Sequence, residues 1–142
     1  MESKIQIETN DDKIIYGTFN SQFKTNSLII FVHGFAASQY EHIFHNASIF
    51  FTNHQYDTFR FDLYSGEEKG RLMENTTLAI HVKDLNDVLE KFKKLYENIF
   101  LVGHSLGGPV VGLCELSCVR AICLWDPSIK LSTFQNILEH RE

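Results

Sequence analysis

The stretch Ile99-Phe100-Leu101-Val102-Gly103-His104-Ser105-Leu106-Gly107-Gly108 constrains this chain more than any other. Its apolar opening reads as a strand over residues 99–102, covered on both faces. It runs through Gly-x-Ser-x-Gly into a helix over residues 107–116, with Pro109 tolerated in the first turn. A serine aimed out of the end of a sheet needs a very tight strand-to-helix turn. Gly103 and Gly107 remove side chains that would collide there. Such a turn exposes the Ser105 hydroxyl and puts the N–H of Leu106 where a developing oxyanion can be held. The prediction is a strained backbone at Ser105, with its hydroxyl at the mouth of a pocket.

The rest of the chain alternates strands and helices. Residues 4–9 and 14–19 read as two strands joined by the turn Asn10-Asp11-Asp12, so the chain opens with an antiparallel hairpin. Residues 28–32 form a wholly apolar strand. Ser38 is placed to cap a helix over 39–53, whose apolar positions Tyr40, Ile43, Phe44, Ala47, Phe50 and Phe51 keep helical spacing. A strand over 58–63 follows, then a polar loop. The clearest helix spans 77–95, with the stripe Leu78, Val82, Leu85, Leu89, Phe92, Tyr96. Residues 119–124 give another strand, and Ser132 is placed to cap a last helix over 133–140. The order β-β-β-α-β-α-β-α-β-α predicts an α/β fold, a three-layer α/β/α sandwich with a mostly parallel sheet. With 142 residues and no linker or repeat, residues 1–142 are read as one domain.

Composition removes several classes of function. The net charge of -5 and the lack of any basic run argue against nucleic-acid binding. No apolar run approaches a membrane span, and the start of the chain lacks a secretory signal pattern. The three cysteines, Cys114, Cys118 and Cys123, do not form a disulfide framework or a zinc set. They read as small buried thiols in a reducing, cytoplasmic setting. No nucleotide-binding signature and no metal set is present, so no cofactor is expected.

A second patch, Phe31-Val32-His33-Gly34-Phe35-Ala36-Ala37-Ser38, precedes the serine turn. Gly34 lets the backbone turn so that an N–H, that of Phe35, faces the serine. With both patches present, residues 14–128 resemble the α/β-hydrolase superfamily, particularly its single-domain serine esterase, lipase and lysophospholipase-like members. The resemblance implies a nucleophile elbow at Ser105 and an oxyanion hole from the Phe35 and Leu106 N–H groups. It implies a small-molecule acyl ester as substrate, a histidine base and a carboxylate that orients it. The superfamily order is serine, acid, histidine, and this chain stops after what would be the sixth strand. The closing strands and the loop that carries the histidine are expected to be missing. The alternative is therefore a non-catalytic or truncated relative without a working base.

The remaining residues are weighed against that pattern. Asp126, in Leu124-Trp125-Asp126-Pro127-Ser128, stands at the exit of the sixth strand. It is the candidate triad acid, or else a polar turn residue before proline. His33 reads as structural and His104 as packed beneath the turn. His42, His45 and His54 ride on the first helix and His81 on the second, mostly on solvated faces. Only His140 follows Asp126. Asp62 and the loop to Gly70 echo an Asp-x-x-Gly-x-Gly loop of the superfamily imperfectly, with Glu67-Glu68-Lys69 between the glycines. Asp84 and Asp87 read as solvated. The strand over 119–124 has a pattern suited to burial but no further partner from this chain, which predicts self-association along that edge.

Overall fold

The computed structural model describes residues 1–128. It contains six strands: β1 (Glu2–Glu8), β2 (Ile14–Asn20), β3 (Ser27–Val32), β4 (Asp57–Phe61), β5 (Asn98–His104) and β6 (Val119–Trp125). Three α-helices lie between them: α1 (His42–Asn53), α2 (Leu78–Phe92) and α3 (Gly107–Leu113). A short 3-10 turn, Met73–Asn75, precedes α2. The expected helix over 133–140, and His140 with it, lies outside the described residues.

The strands form one sheet in the order β1-β2-β4-β3-β5-β6. β1 and β2 are the antiparallel hairpin, and β2 joins β4 antiparallel. From β4 through β3 and β5 to β6 every pairing is parallel. Because side chains alternate across a strand, β3 serves two cores at once. Leu28, Ile30 and Val32 face the layer of α2 and α3, packing with Leu85, Val88, Val110 and Val111. Ile29 and Phe31 face α1, packing with Phe44 and Val102. The result is the mixed α/β/α sandwich that the strand–helix alternation predicts.

Helix α1 begins later than its sequence pattern suggests. Ser38 does not cap it; its Oγ accepts the Tyr40 N–H (3.2 Å) inside a turn. The helix starts at His42, with Glu41 at the cap position and no side-chain cap bond. Its buried positions are Phe44, Ser48 and Thr52, four residues apart, flanked by Ala47 and Phe51. Tyr40, Ile43 and Phe50 are therefore exposed rather than core. Helix α2 behaves as expected at its start, where Thr77 Oγ1 accepts from the Ile80 N–H (3.2 Å).

Two groups placed on solvated faces by the sequence are buried. Asp84 is 2% exposed and His81 3%. Arg71, on the loop before α2, reaches Asp84 with two bonds (Nε–Oδ2 2.5 Å, Nη2–Oδ1 2.8 Å). The same guanidinium reaches Asp11 at the β1–β2 turn (2.8 and 2.9 Å). This fork ties the hairpin, the loop and α2 together. The Arg71 hydrogen bond, with Thr9 and Lys83 adding to it, holds the Asp11 carboxyl well below its usual range. The sequence reading of Asp84 as solvated missed its partner, because the arginine that pairs with it lies 13 residues away on a loop.

Burial sets the acid response of the molecule. Desolvation, with lesser contributions from His33 and Arg71, pulls His81 down to about 4. Burial also lowers His33 below its ordinary 6.5. Both imidazoles are neutral when folded and titrate normally when unfolded. Their contribution to stability is thus complete above pH 6.5 and is lost as pH falls toward the folded-state values. His81 alone corresponds to a loss of about 2 kcal/mol between pH 7 and pH 5. Urea unfolding at the two pH values measures it, and His81→Phe removes this share. Equal stability at both pH values would contradict the assignment.

Edge strand β6 has β5 as its sole neighbour among the described residues. Ile122 and Leu124 are 42% and 44% exposed. Cys123 is exposed and Cys118 half-buried, so only Cys114 fits the expectation of buried thiols. Burial pushes the Cys114 thiol up to about 11. All three cysteines are free.

Candidate active site

Strand β5 delivers Ser105 to the C-terminal end of the sheet, between β5 and α3. Its backbone lies in the left-handed region, with φ 52. That conformation disfavours a side chain, so the surroundings must hold it. They do so through three backbone bonds. The Ser105 N–H donates to Trp125 O (3.2 Å), and its carbonyl accepts from the N–H groups of Gly108 and Ser128 (both 3.0 Å). Trp125 is itself fixed on the α1 side, stacked on Phe44 (6.3 Å between centroids) and tilted against Phe31 (6.0 Å).

The glycines of the motif are there for space. A Cβ on Gly107 would lie 2.2 Å from Val32 O, and one on Gly103 would lie 2.5 Å from Gly107 O. The turn can therefore lie directly against the end of β3 only if both positions lack side chains. Gly34 plays the same part from the other side. A Cβ there would stand 2.9 Å from Ser105 Cβ and 3.4 Å from Ser105 Oγ. The loop after β3 and the turn after β5 are thus in van der Waals contact at the serine.

A buried histidine and a tyrosine brace the loop after β3. His33 is 1% exposed. Its Nε2 accepts from the Leu63 N–H (2.9 Å), so the ring proton sits on Nδ1 and donates to Gly34 O (2.8 Å). The Tyr64 hydroxyl also donates to Gly34 O (3.2 Å) and accepts from the Ala37 N–H (3.2 Å). The two rings meet edge to face (5.3 Å). Ala36 takes a left-handed conformation (φ 55) within this clamp. His33 is structural, as expected, while nothing in the sequence had singled out Tyr64. The neighbouring Asp62 is spent on Gln39, accepting from its N–H (2.9 Å) and its Nε2 (2.6 Å).

The N–H groups of Phe35 and Leu106 have no acceptor among the described residues, and neither do those of their neighbours Gly34, Ala36 and Gly107. They belong to the two segments that meet at Ser105. The Phe35 side chain is half exposed, whereas Leu106 is buried beneath the turn. Asp126 follows β6 with φ 43 and is exposed. The Ser105–Trp125 bond brings it to the same end of the sheet. Its carboxylate forms no hydrogen bond to a histidine among the described residues.

None of the described histidines forms a hydrogen bond with the serine hydroxyl. His104 turns under the sheet, edge-on to Phe44 (6.2 Å). His42, His45 and His54 are exposed on α1 or its end, and His54 Nδ1 pairs with Phe50 O (2.7 Å). His81 is buried beside Tyr64 (6.0 Å between rings). The hydroxyl partner of Ser105 among the described residues is Ser128, with 3.4 Å between the two Oγ atoms. Ser128 was not foreseen, because only the fold of the loop after β6 returns it to the turn.

Among the described residues no group of three or more His, Cys, Asp or Glu side chains could hold a metal ion. No helix among them is long and apolar enough to cross a membrane.

Comparison with known proteins places this fold. The structure is similar to that of Est1E from Butyrivibrio proteoclasticus, solved with ferulic acid bound, with a TM-score of 0.82 and 22% identity over 94% of this chain and 56% of that one. It is also similar to the esterase Pf2001 of Pyrococcus furiosus (TM-score 0.77, 22% identity, 93% of this chain and 53% of that one). A third similar structure is the α/β hydrolase GrgF from Penicillium sp. sh18 (0.78, 20% identity, 99% and 52%). The chain spans about half the length of these relatives. No curated protein matches it in sequence. The family model described as serine aminopeptidase, S33, matches residues 24–127, a stretch that includes β3, the serine turn and β6. On that match, and with a fold shared with these structures, the chain belongs to the S33 serine aminopeptidase family of α/β-hydrolases.

Proposed function

We propose that this chain carries the nucleophile and the oxyanion hole of a serine hydrolase that acts on a carboxylic ester or a related small acyl substrate. The observation that carries the reading is the junction at Ser105. A strained serine stands where two loops meet, and each loop contributes an N–H with no acceptor among the described residues. Ser105 Oγ attacks the acyl carbonyl, and the N–H groups of Phe35 and Leu106 donate to the oxygen as it becomes negative. These donors are backbone groups, the Phe35 N–H held by the His33–Tyr64 clamp and the Leu106 N–H by the backbone bonds of Ser105, so they do not reorganise as charge develops. Gly34, Gly103 and Gly107 keep the loops close enough for this. Asp126 is the acid that would orient a histidine base. The chemistry needs no cofactor.

The assay is release of p-nitrophenol from p-nitrophenyl acetate by the purified chain beside Ser105→Ala. The expected result is release above the solvent rate that falls to that rate in Ser105→Ala. Equal rates for the two proteins would contradict the proposal.

One observation favours a second reading. Among the described residues Ser105 Oγ meets a serine hydroxyl, Ser128, and no imidazole. A chain of this family without a base would keep the acyl-binding junction and turn over poorly. The compartment we assign is the reducing cytoplasm, on the three free cysteines.

The same reading extends to association. Among the described residues no strand pairs with the outer side of β6, and Ile122 and Leu124 are exposed together on one of its faces. Such an edge pairs readily with another chain. Sedimentation velocity is expected to show dimers or larger species at micromolar concentration. Arg120 is the charged residue of the strand, and Ile122→Lys adds a second charge that should return the chain to monomer. A monomer at all concentrations would contradict the assignment.

A further inference from the structure

The peptide between Gly34 and Phe35 is held by its carbonyl. The Gly34 oxygen accepts two hydrogen bonds, from His33 Nδ1 (2.8 Å) and from the Tyr64 hydroxyl (3.2 Å). A peptide unit is planar and trans, so its C=O and N–H point in opposite directions. Holding the oxygen against the two rings therefore turns the Phe35 N–H away from them. Among the free N–H groups of this loop, only that of Phe35 shares its peptide with a carbonyl that side chains hold. Gly34 also lies against Ser105, since a Cβ there would stand 2.9 Å from Ser105 Cβ. The glycine that allows this approach also lacks the side chain that would resist rotation of the peptide plane. Rotation by half a turn would present the Gly34 oxygen, an acceptor, where a donor is needed.

We propose that Tyr64 is a positioning residue for acylation, whose hydroxyl locks the Gly34–Phe35 peptide so that the Phe35 N–H, and not the Gly34 oxygen, faces the acyl oxygen. The inference rests on Ser105 as nucleophile and Phe35 as donor. The stretch between Gly34 and Ala37 needs a lock, because Ala36 keeps a left-handed conformation (φ 55) that its surroundings must impose. Among the described residues Tyr64 is the side chain that bonds both ends of this stretch. It donates to Gly34 O and accepts from the Ala37 N–H (3.2 Å). His33 bonds only the near end, and its other nitrogen is taken by the Leu63 N–H. The Tyr64 ring is seated between His33 (5.3 Å, edge to face) and His81 (6.0 Å), so packing fixes where its hydroxyl reaches. Burial raises that hydroxyl above its ordinary 10, and it remains a donor at neutral pH.

The test measures acylation of the full chain by intact mass, with Ser105→Ala as the blank. The two esters are p-nitrophenyl acetate and its thiono analogue, in which sulfur replaces the carbonyl oxygen. In either case the bond from Ser105 Oγ to the acyl carbon forms and the carbon–aryloxide bond breaks. p-Nitrophenolate leaves with the electron pair, and the hydroxyl proton passes to water. Sulfur accepts hydrogen bonds weakly, so the oxygen-to-sulfur rate ratio reads the oxyanion donors and not the nucleophile. Removing one such donor costs about 10²–10³-fold, so Tyr64→Phe, which keeps the ring, should slow acetylation at least about tenfold and leave thionoacetylation within about twofold. Both esters are read on the same protein, so any unfolded fraction cancels from the ratio. Tyr16→Phe removes another tyrosine bond, to Glu68 O (2.7 Å), and should leave the ratio unchanged. Ser105 acetylation with the wild-type ratio in Tyr64→Phe would overturn the lock and leave the nucleophile standing. A ratio lowered equally by Tyr16→Phe would overturn the lock as well. No Ser105 adduct in wild type with either ester would remove both readings.

Discussion

Replacing Arg71 with Met is expected to lower the unfolding free energy by about 3–5 kcal/mol, the cost of leaving one partner of a buried ion pair alone. Arg71 and Asp84 are 8% and 2% exposed at the side chain. Their two-bond contact is backed by a second fork to Asp11. Truncation strands the Asp84 carboxylate under α2 and releases the loop after β4 from the hairpin. Surface pairs such as Lys69–Asp12, with both side chains about half exposed or more, should contribute less than about 1 kcal/mol each. Two further variants separate the pair from its parts. Asp84→Asn should be costly for the same reason, whereas the double variant Arg71→Met/Asp84→Leu should recover most of the loss by burying apolar groups instead. Urea unfolding of the four proteins at pH 7 reads this out. A loss below about 1 kcal/mol for Arg71→Met would show that the fork is an ornament of the surface.

A second large effect is expected in kinetics. The chain should react with an activated ester in a burst of up to one equivalent and then nearly stop. The oxyanion donors and the strained serine favour acylation by a good leaving group. Hydrolysis of the acyl-enzyme needs a base to activate water, and such a base contributes about 10²–10⁴-fold. Among the described residues none of the histidines is bonded to Ser105, and His104 and His33 are committed elsewhere. The slow phase should therefore be slower than the burst by that order. Rapid-quench measurement of p-nitrophenol release gives both phases. Steady turnover without a burst would show that a base operates, and His140→Ala would then decide whether it comes from residues 129–142.

The fold was legible because the physics that forms it is local. Strands β3 and β5 announce themselves as short apolar runs, and the two patches that meet at Ser105 carry glycines where chains must touch. The misread positions depend on partners far along the chain. Asp84 looked solvated because its arginine lies on a loop in the preceding segment. Tyr64 and Ser128 reach the site only because the loops after β4 and β6 fold back toward the serine. Ser38 looked like a helix cap and instead holds a turn, which shifts α1 to His42 and exposes Tyr40. Cys123 followed an apolar pattern, but with no further strand beside β6 among the described residues its side chain is exposed.

The account turns on Ser105 as the group that takes the acyl chain. The direct measurement is peptide mapping of the chain quenched during the burst with p-nitrophenyl butyrate. The account predicts one butyryl group per molecule, on the peptide that contains Ser105, and none in Ser105→Ala. A butyryl group on a lysine or cysteine peptide with Ser105 unmodified, or equal labelling of Ser105→Ala, would contradict it.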